Sequence, residues 1–109
     1  MTLNEYQKLA ARTIGDLTPM QMECHALHGM SSEIGEIHSI YQKVYQGHDN
    51  DKEHCLKELG DLLWFIAEYC TALGCDLDYI AWTNIEKLKA RYPDGFDAER
   101  SLHRAEGDV

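Results

Sequence analysis

No run of apolar residues in this chain approaches the ~20 needed to cross a bilayer. The opening residues, Met1-Thr2-Leu3-Asn4-Glu5, have neither the basic nor the apolar region of a secretion signal. The expectation is a cytoplasmic protein with no membrane partner. Basic residues are also scarce: ten Lys and Arg against nineteen Asp and Glu leave a formal net charge of -9. That balance argues against a broad basic face gripping a nucleic-acid polymer, while a free nucleotide arriving with its own cation is less affected. The four cysteines, Cys24, Cys55, Cys70 and Cys75, show no C-x-x-C spacing. Cys55 and Cys70 fall in apolar helical stretches and are expected to be reduced core residues. Cys24 and His28, four apart on a helix, leave a zinc reading open. No glycine-rich phosphate loop, no strand alternation and no repeat above the helix level is visible. The fold class expected is therefore all-α, a bundle of about four helices. A chain of 109 residues buries roughly 65% of its unfolded surface, little enough that dimerisation is expected to complete the bundle.

What is present is helical periodicity with clear punctuation. Thr2-x-x-Glu5 reads as a capping box opening a short docking helix whose stripe, Leu3, Tyr6, Leu9 and Ile14, ends at Gly15. Thr18-Pro19 starts a long helix to about Gln46, in which Leu27, Met30, Ile34, Ile37, Tyr41 and Val44 alternate steps of three and four, a packing seam. Gly29 stands in it as a candidate kink or break. Asn50, with Glu53 three residues on, is expected to cap the next helix, which stops at Gly74. Its apolar arc, Leu56, Leu59, Leu62, Leu63, Phe65, Ile66, Tyr69, Cys70 and Leu73, is too broad for burial on one side, so this is expected to be the central helix. Trp64 points away from that arc, toward the side bearing Lys57, Gly60 and Thr71, which calls for exposure or, as expected here, a subunit contact. Asp76 is expected to cap a fourth helix from about Leu77 to Arg91, closed by the Tyr92-Pro93-Asp94-Gly95 turn. Residues 1–96 form the domain, and 97–109 a polar tail expected to be mobile.

Two short acidic repeats organise the rest: Glu33-Ile-Gly-Glu36 and Glu58-Leu-Gly-Asp61. Acids three apart on a helix point to the same side. If the two helices pack as an antiparallel hairpin, four carboxylates converge. Two such charges ~5 Å apart repel by about 1 kcal/mol in water and by roughly 3 kcal/mol at an effective dielectric near 20, so a bound divalent cation is the economical explanation. Four hard oxygen donors suit Mg²⁺, with Mn²⁺ a substitute. A di-iron site calls for Glu-x-x-His, and no Glu here is followed by His at that spacing. Asn84, Lys87 and Arg91, at i, i+3 and i+7, form one polar stripe near the end of the fourth helix. Without the acid pairs, Lys87 and Arg91 would read as solvated charges on an exposed face.

These residues give the chain a familial look. It resembles the MazG-like nucleoside triphosphate pyrophosphohydrolases among the all-α NTP pyrophosphatases. The similarity is carried by Glu33-Ile-Gly-Glu36, by Lys57-Glu58-Leu-Gly-Asp61-Leu-Leu-Trp64 and by Asn84-Ile-Glu-Lys87-Leu-Lys-Ala-Arg91-Tyr92-Pro93-Asp-Gly95-Phe96. The resemblance implies Mg²⁺-dependent cleavage between the α and β phosphates to a nucleoside monophosphate and pyrophosphate. It implies Glu33, Glu36, Glu58 and Asp61 as metal ligands and catalytic acids, and Asn84, Lys87 and Arg91 as substrate-binding residues. It also implies a helical homodimer or higher homo-oligomer. The family's fuller pattern has two adjacent acids where this chain has Ser32-Glu33, which leaves the number of metals and the general base open. The alternative from another class is a non-catalytic helical assembly or regulatory protein holding a structural cation.

Overall fold

The computed structural model describes residues 1–109 and is all-helical: α1 (Leu3–Ala11), α2 (Pro19–Val44), α3 (Lys52–Leu73), α4 (Leu77–Arg91) and a short α5 (Ala98–Leu102). Two of the starts follow the sequence directly. The Thr2 hydroxyl accepts from the Glu5 amide at 3.0 Å while Glu5 accepts from the Thr2 amide at 3.1 Å. Thr18 and Gln21 repeat the box ahead of Pro19 at the first helical position.

The other starts differ from expectation. Asp51, not Asn50, caps α3, accepting from the His54 amide at 3.0 Å. Both residue types cap well, and a full carboxylate adds a favourable charge at the positive end of the helix dipole. Asp76 holds the N-cap position of α4 but makes no side-chain cap bond. The first amides of α4 are met instead from α1: Leu77 donates to Gln7 Oε1 at 2.7 Å and Asp78 to Asn4 Oδ1 at 3.0 Å. Gln7 also donates through Nε2 to the Cys75 carbonyl at 2.9 Å, so one side chain ties the α3–α4 corner to α1. At that corner Gly74 takes φ 71°, and the Cys75 amide returns to the Cys70 carbonyl, a left-handed helix end that suits glycine. Helix α1 stops at Ala11, short of Gly15, and residues 12–14 continue as a tight turn.

Helices α2 and α3 form the expected hairpin. Its antiparallel sense follows from the side chains that meet across it: His25 with Glu68, Gly29 with Phe65, and Glu33 with Glu58 and Asp61. Gly29 does not break α2, which is continuous. Its missing side chain is filled by Phe65, whose ring a Cβ at position 29 would overlap. The small core lies where α1 meets α3 and the start of α4: Ala10, Ala67, Cys70 and Leu77, flanked by Tyr6, Trp64 and Ile66. Burial, and next the neighbouring Cys75, push the Cys70 thiol up to about 11, leaving it an inert core group. Trp64 is half-buried within the chain and donates from Nε1 to Thr13 Oγ1 at 2.8 Å, tying the turn after α1 to α3.

A single chain leaves much apolar surface uncovered. Only seven residues are buried, and the radius of gyration is 17.3 Å where a compact chain of this length has about 13 Å. Helix α4 docks on α1 and barely touches the hairpin. Leu56, Leu59 and Leu73 are 68%, 53% and 52% exposed on α3. Trp82 and Ile85 are likewise exposed on α4.

Candidate metal and phosphate site

The helical hairpin determines which acids meet. One carboxylate oxygen from each of Glu33, Glu58 and Asp61 lies within 4.8 Å of the other two. One acid of α2 thus faces the pair carried by α3. Glu36 is exposed one turn further along and stands outside this group, near enough for its charge to act on Glu33. Glu33 Oε2 is buried and has no hydrogen-bond partner.

That crowding has the expected electrostatic consequence. Glu33 is pushed up to about 7, first by a shared hydrogen bond with Glu58, then by burial and by the charges of Glu58, Asp61 and Glu36. Glu58 moves the other way, held below the ordinary carboxylate range by the same contact with Glu33 and by His54, whose Nε2 lies 2.7 Å from Glu58 Oε1. The two carboxylates thus move in opposite directions from one contact, and His54 adds to the lowering of Glu58. Tyr6 borders the group, its phenol raised by burial and by the charge of Asp61.

These residues fit a divalent cation. The donors are hard oxygens, the geometry is convergent, and a buried acceptor lacks a partner where a cation would satisfy it. His54 engages one oxygen of Glu58 and leaves the other available, which suits a residue that orients a ligand.

The predicted phosphate residues lie elsewhere in the chain. Asn84, Lys87 and Arg91 are on α4, and Lys87 and Arg91 line an open cavity of about 460 Å³ made with the C-terminal segment, not with the acids. Arg91 is already engaged, donating from Nε to Asp108 Oδ2 and from Nη2 to Asp108 Oδ1, both at 2.8 Å. The segment expected to be mobile therefore carries α5, capped by Asp97, and an anchor near its end. Tyr92 and Phe96 pack on each other, ring centroids 5.4 Å apart, with the Arg91 guanidinium over the Tyr92 ring.

Three contacts escaped the sequence reading. His54 stands at i−4 to Glu58, a spacing that could have revealed it. Glu68, whose side chain is fully buried, has both oxygens within 2.8–2.9 Å of His25 Nδ1, and His25 packs edge-on against Trp64 and Phe65. Asp108 lies 17 residues from Arg91, with no local pattern to announce it.

The fold and the acid group together define an all-α protein whose central hairpin carries a carboxylate cluster able to hold a divalent cation. The family described as "MazG nucleotide pyrophosphohydrolase domain" matches residues 21–96, and the chain belongs to that family. Nucleotide pyrophosphohydrolase activity goes with this membership, and enzymes of the family generally use divalent metals. Over 107 residues the chain is 26% identical to "Gene 37 protein" of Mycobacterium phage L5, an alignment covering 87% of this chain and 92% of that protein. No solved structure matches the chain. No helix is long and apolar enough to cross a membrane.

Proposed function

We propose that the chain is a Mg²⁺-dependent nucleoside triphosphate pyrophosphohydrolase, with Mn²⁺ as a substitute. It cleaves the α–β phosphoanhydride to a nucleoside monophosphate and pyrophosphate, in the cytoplasm. The observation that carries this reading is the partnerless buried oxygen of Glu33 inside a three-carboxylate group, in a chain of the MazG family. Glu33, Glu58 and Asp61 would hold the cation, and Glu36 supplies further negative charge beside them. When bound, the cation supplies charge neutralisation of the phosphate chain and acidifies water. Lys87 and Arg91 neutralise phosphate oxygens, and Asn84 offers a neutral amide on the same stripe for sugar or phosphate. Cationic neutralisation at positions where charge develops is the main protein contribution to phosphoryl chemistry.

Within one chain α4 is docked on α1 and stands off the hairpin, so the cations and the acids meet when a second copy brings its α4 to the cluster. The exposed leucine face supports the same reading. A surface depression of about 340 Å³ lined by Leu56, Leu59, Leu62, Leu63 and Ile66 is the kind of apolar patch that marks an interface. The working unit is then a homodimer or higher homo-oligomer. The test is phosphorus NMR of a panel of ribo- and deoxyribonucleoside triphosphates incubated with the protein, with and without Mg²⁺. Monophosphate and pyrophosphate should appear only with Mg²⁺. Diphosphate and orthophosphate instead would refute the cleavage position, and no turnover of any nucleotide would favour the non-catalytic assembly role.

A further inference from the structure

Four of the ten Lys and Arg residues of this acidic chain surround one cavity: Lys87 and Arg91 from α4, and Arg100 and Arg104 from the C-terminal segment. Lys87, Arg100 and Arg104 form no ion pair. Glu106 also lines the cavity, so the basket is cationic but not exclusively so. Arg91 alone is satisfied. Its guanidinium, 10% exposed, grips Asp108, 15% exposed, through two parallel bonds of 2.8 Å. A fork-to-fork contact of this kind is the geometry in which a guanidinium holds any planar or tetrahedral oxyanion, phosphate included. The carboxylate of Asp108 also feels the charges of Arg104 and Lys87, which help hold it below the ordinary carboxylate range. It therefore lies within the field of Arg91, Arg104 and Lys87, three of the four cations around the cavity.

We propose that Asp108 is a resident internal anion in a polyphosphate-binding basket formed by Lys87, Arg91, Arg100 and Arg104, and that it leaves the Arg91 fork when pyrophosphate or the phosphate end of a nucleotide enters. This rests on the functional reading above for the placing of Lys87 and Arg91, and adds to it two further binding residues and a competitor built into the chain. The tail arginines supply cations that α4 alone lacks. Asp108 keeps Arg91 in its binding rotamer while no ligand is present, at the expense of affinity.

The test is calorimetric titration of inorganic pyrophosphate, in chelator and without divalent metal, into the full chain and two variants. Asp108→Asn removes the competing charge and should tighten pyrophosphate binding by about three- to tenfold, the scale of one partly buried charge-assisted contact. Arg100→Ala/Arg104→Ala should weaken it by about tenfold or more. Unchanged or weaker binding by Asp108→Asn, or undiminished binding by the arginine double variant, overturns the proposal. The readout needs neither metal nor turnover. A protein that hydrolyses no nucleotide but gains pyrophosphate affinity on Asp108→Asn refutes the functional reading alone. One that turns over nucleotide but gains none refutes this proposal alone.

Discussion

Gly29→Ala isolates the contact that seats α3 against α2. In a helix interior the change from Gly to Ala is favourable by roughly 1 kcal/mol, because Gly forfeits more chain freedom on folding. At Gly35, in the same helix, a Cβ meets no atom within 4 Å, so Gly35→Ala should realise most of that gain. At Gly29 the Cβ would overlap three atoms of the Phe65 ring. That ring cannot simply swing aside, because His25 and Trp64 pack on it edge-on with centroids 5.5 and 5.1 Å away. Relief requires repacking the aromatic trio or separating the helices, and overpacking of this kind costs about 1–3 kcal/mol. Gly29→Ala should therefore be neutral to destabilising by about 2 kcal/mol, and should fall below Gly35→Ala by about 1–3 kcal/mol. In a domain of this size that difference is on the order of 5–15 °C in melting temperature, measured by circular dichroism at one fixed protein concentration. In a Phe65→Leu background most of the difference should disappear, since the ring supplies the clash. Equal stabilisation by the two glycine replacements would refute the close approach of the helices and, with it, the placement of Glu33 opposite Glu58.

Saturating Mg²⁺ or Mn²⁺ at a hundred times its dissociation constant should stabilise the protein by about 2.7 kcal/mol, seen as a rise in melting temperature on the order of 10 °C; a Glu58→Gln variant that keeps the full rise would remove Glu58 from the ligand set. In chelator, Glu33 sits at about 7 in the folded chain, above its ordinary 4.5, so the folded form keeps a proton that the unfolded form releases. Its contribution is fully favourable below about 4.5 and is lost as pH rises through about 7. Relative to Glu33→Gln, the metal-free wild type should therefore lose stability between those pH values, and parallel thermal profiles of the two proteins would contradict the raised Glu33. His25→Ala leaves the fully buried Glu68 carboxylate without its partner and should destabilise by about 1.5–3 kcal/mol in urea unfolding. The half-exposed imidazole limits the effect to less than that of a fully buried pair; Glu68→Gln in the same background should recover part of the loss.

The sequence is most informative where physics is local. Helical periods, the Thr2 and Thr18 boxes and the Gly74 end depend on neighbours within a turn, and each is found where the residues place it. The acid repeats are legible for the same reason, since i,i+3 spacing fixes their side of the helix. That spacing also advances 4.5 Å along the axis, so same-sided acids need not share one point, and Glu36 falls outside the group that Glu33 joins. Long-range partners are illegible. Gly29 reads locally only as a weak helix former, because nothing in its neighbourhood announces the Phe65 ring. Asp76 has the right type for a cap, but Gln7 and Asn4 reach the same amides from α1. Trp64 finds Thr13, 51 residues away. The tail is polar and reads as mobile, since the fork of Arg91 that anchors Asp108 can be found only in three dimensions.

The claim on which the account depends is that Glu33, Glu58 and Asp61 together bind a hard divalent cation. Titration of Mn²⁺ followed by the paramagnetic resonance of the free ion measures this without substrate or turnover. The wild type should remove Mn²⁺ from solution in a saturable way, with Mg²⁺ competing, and Glu33→Gln, Glu58→Gln and Asp61→Asn should each weaken uptake by about tenfold or more, the loss expected when a charged ligand becomes neutral. Saturable uptake of equal affinity in all four proteins, or none in any, would contradict it.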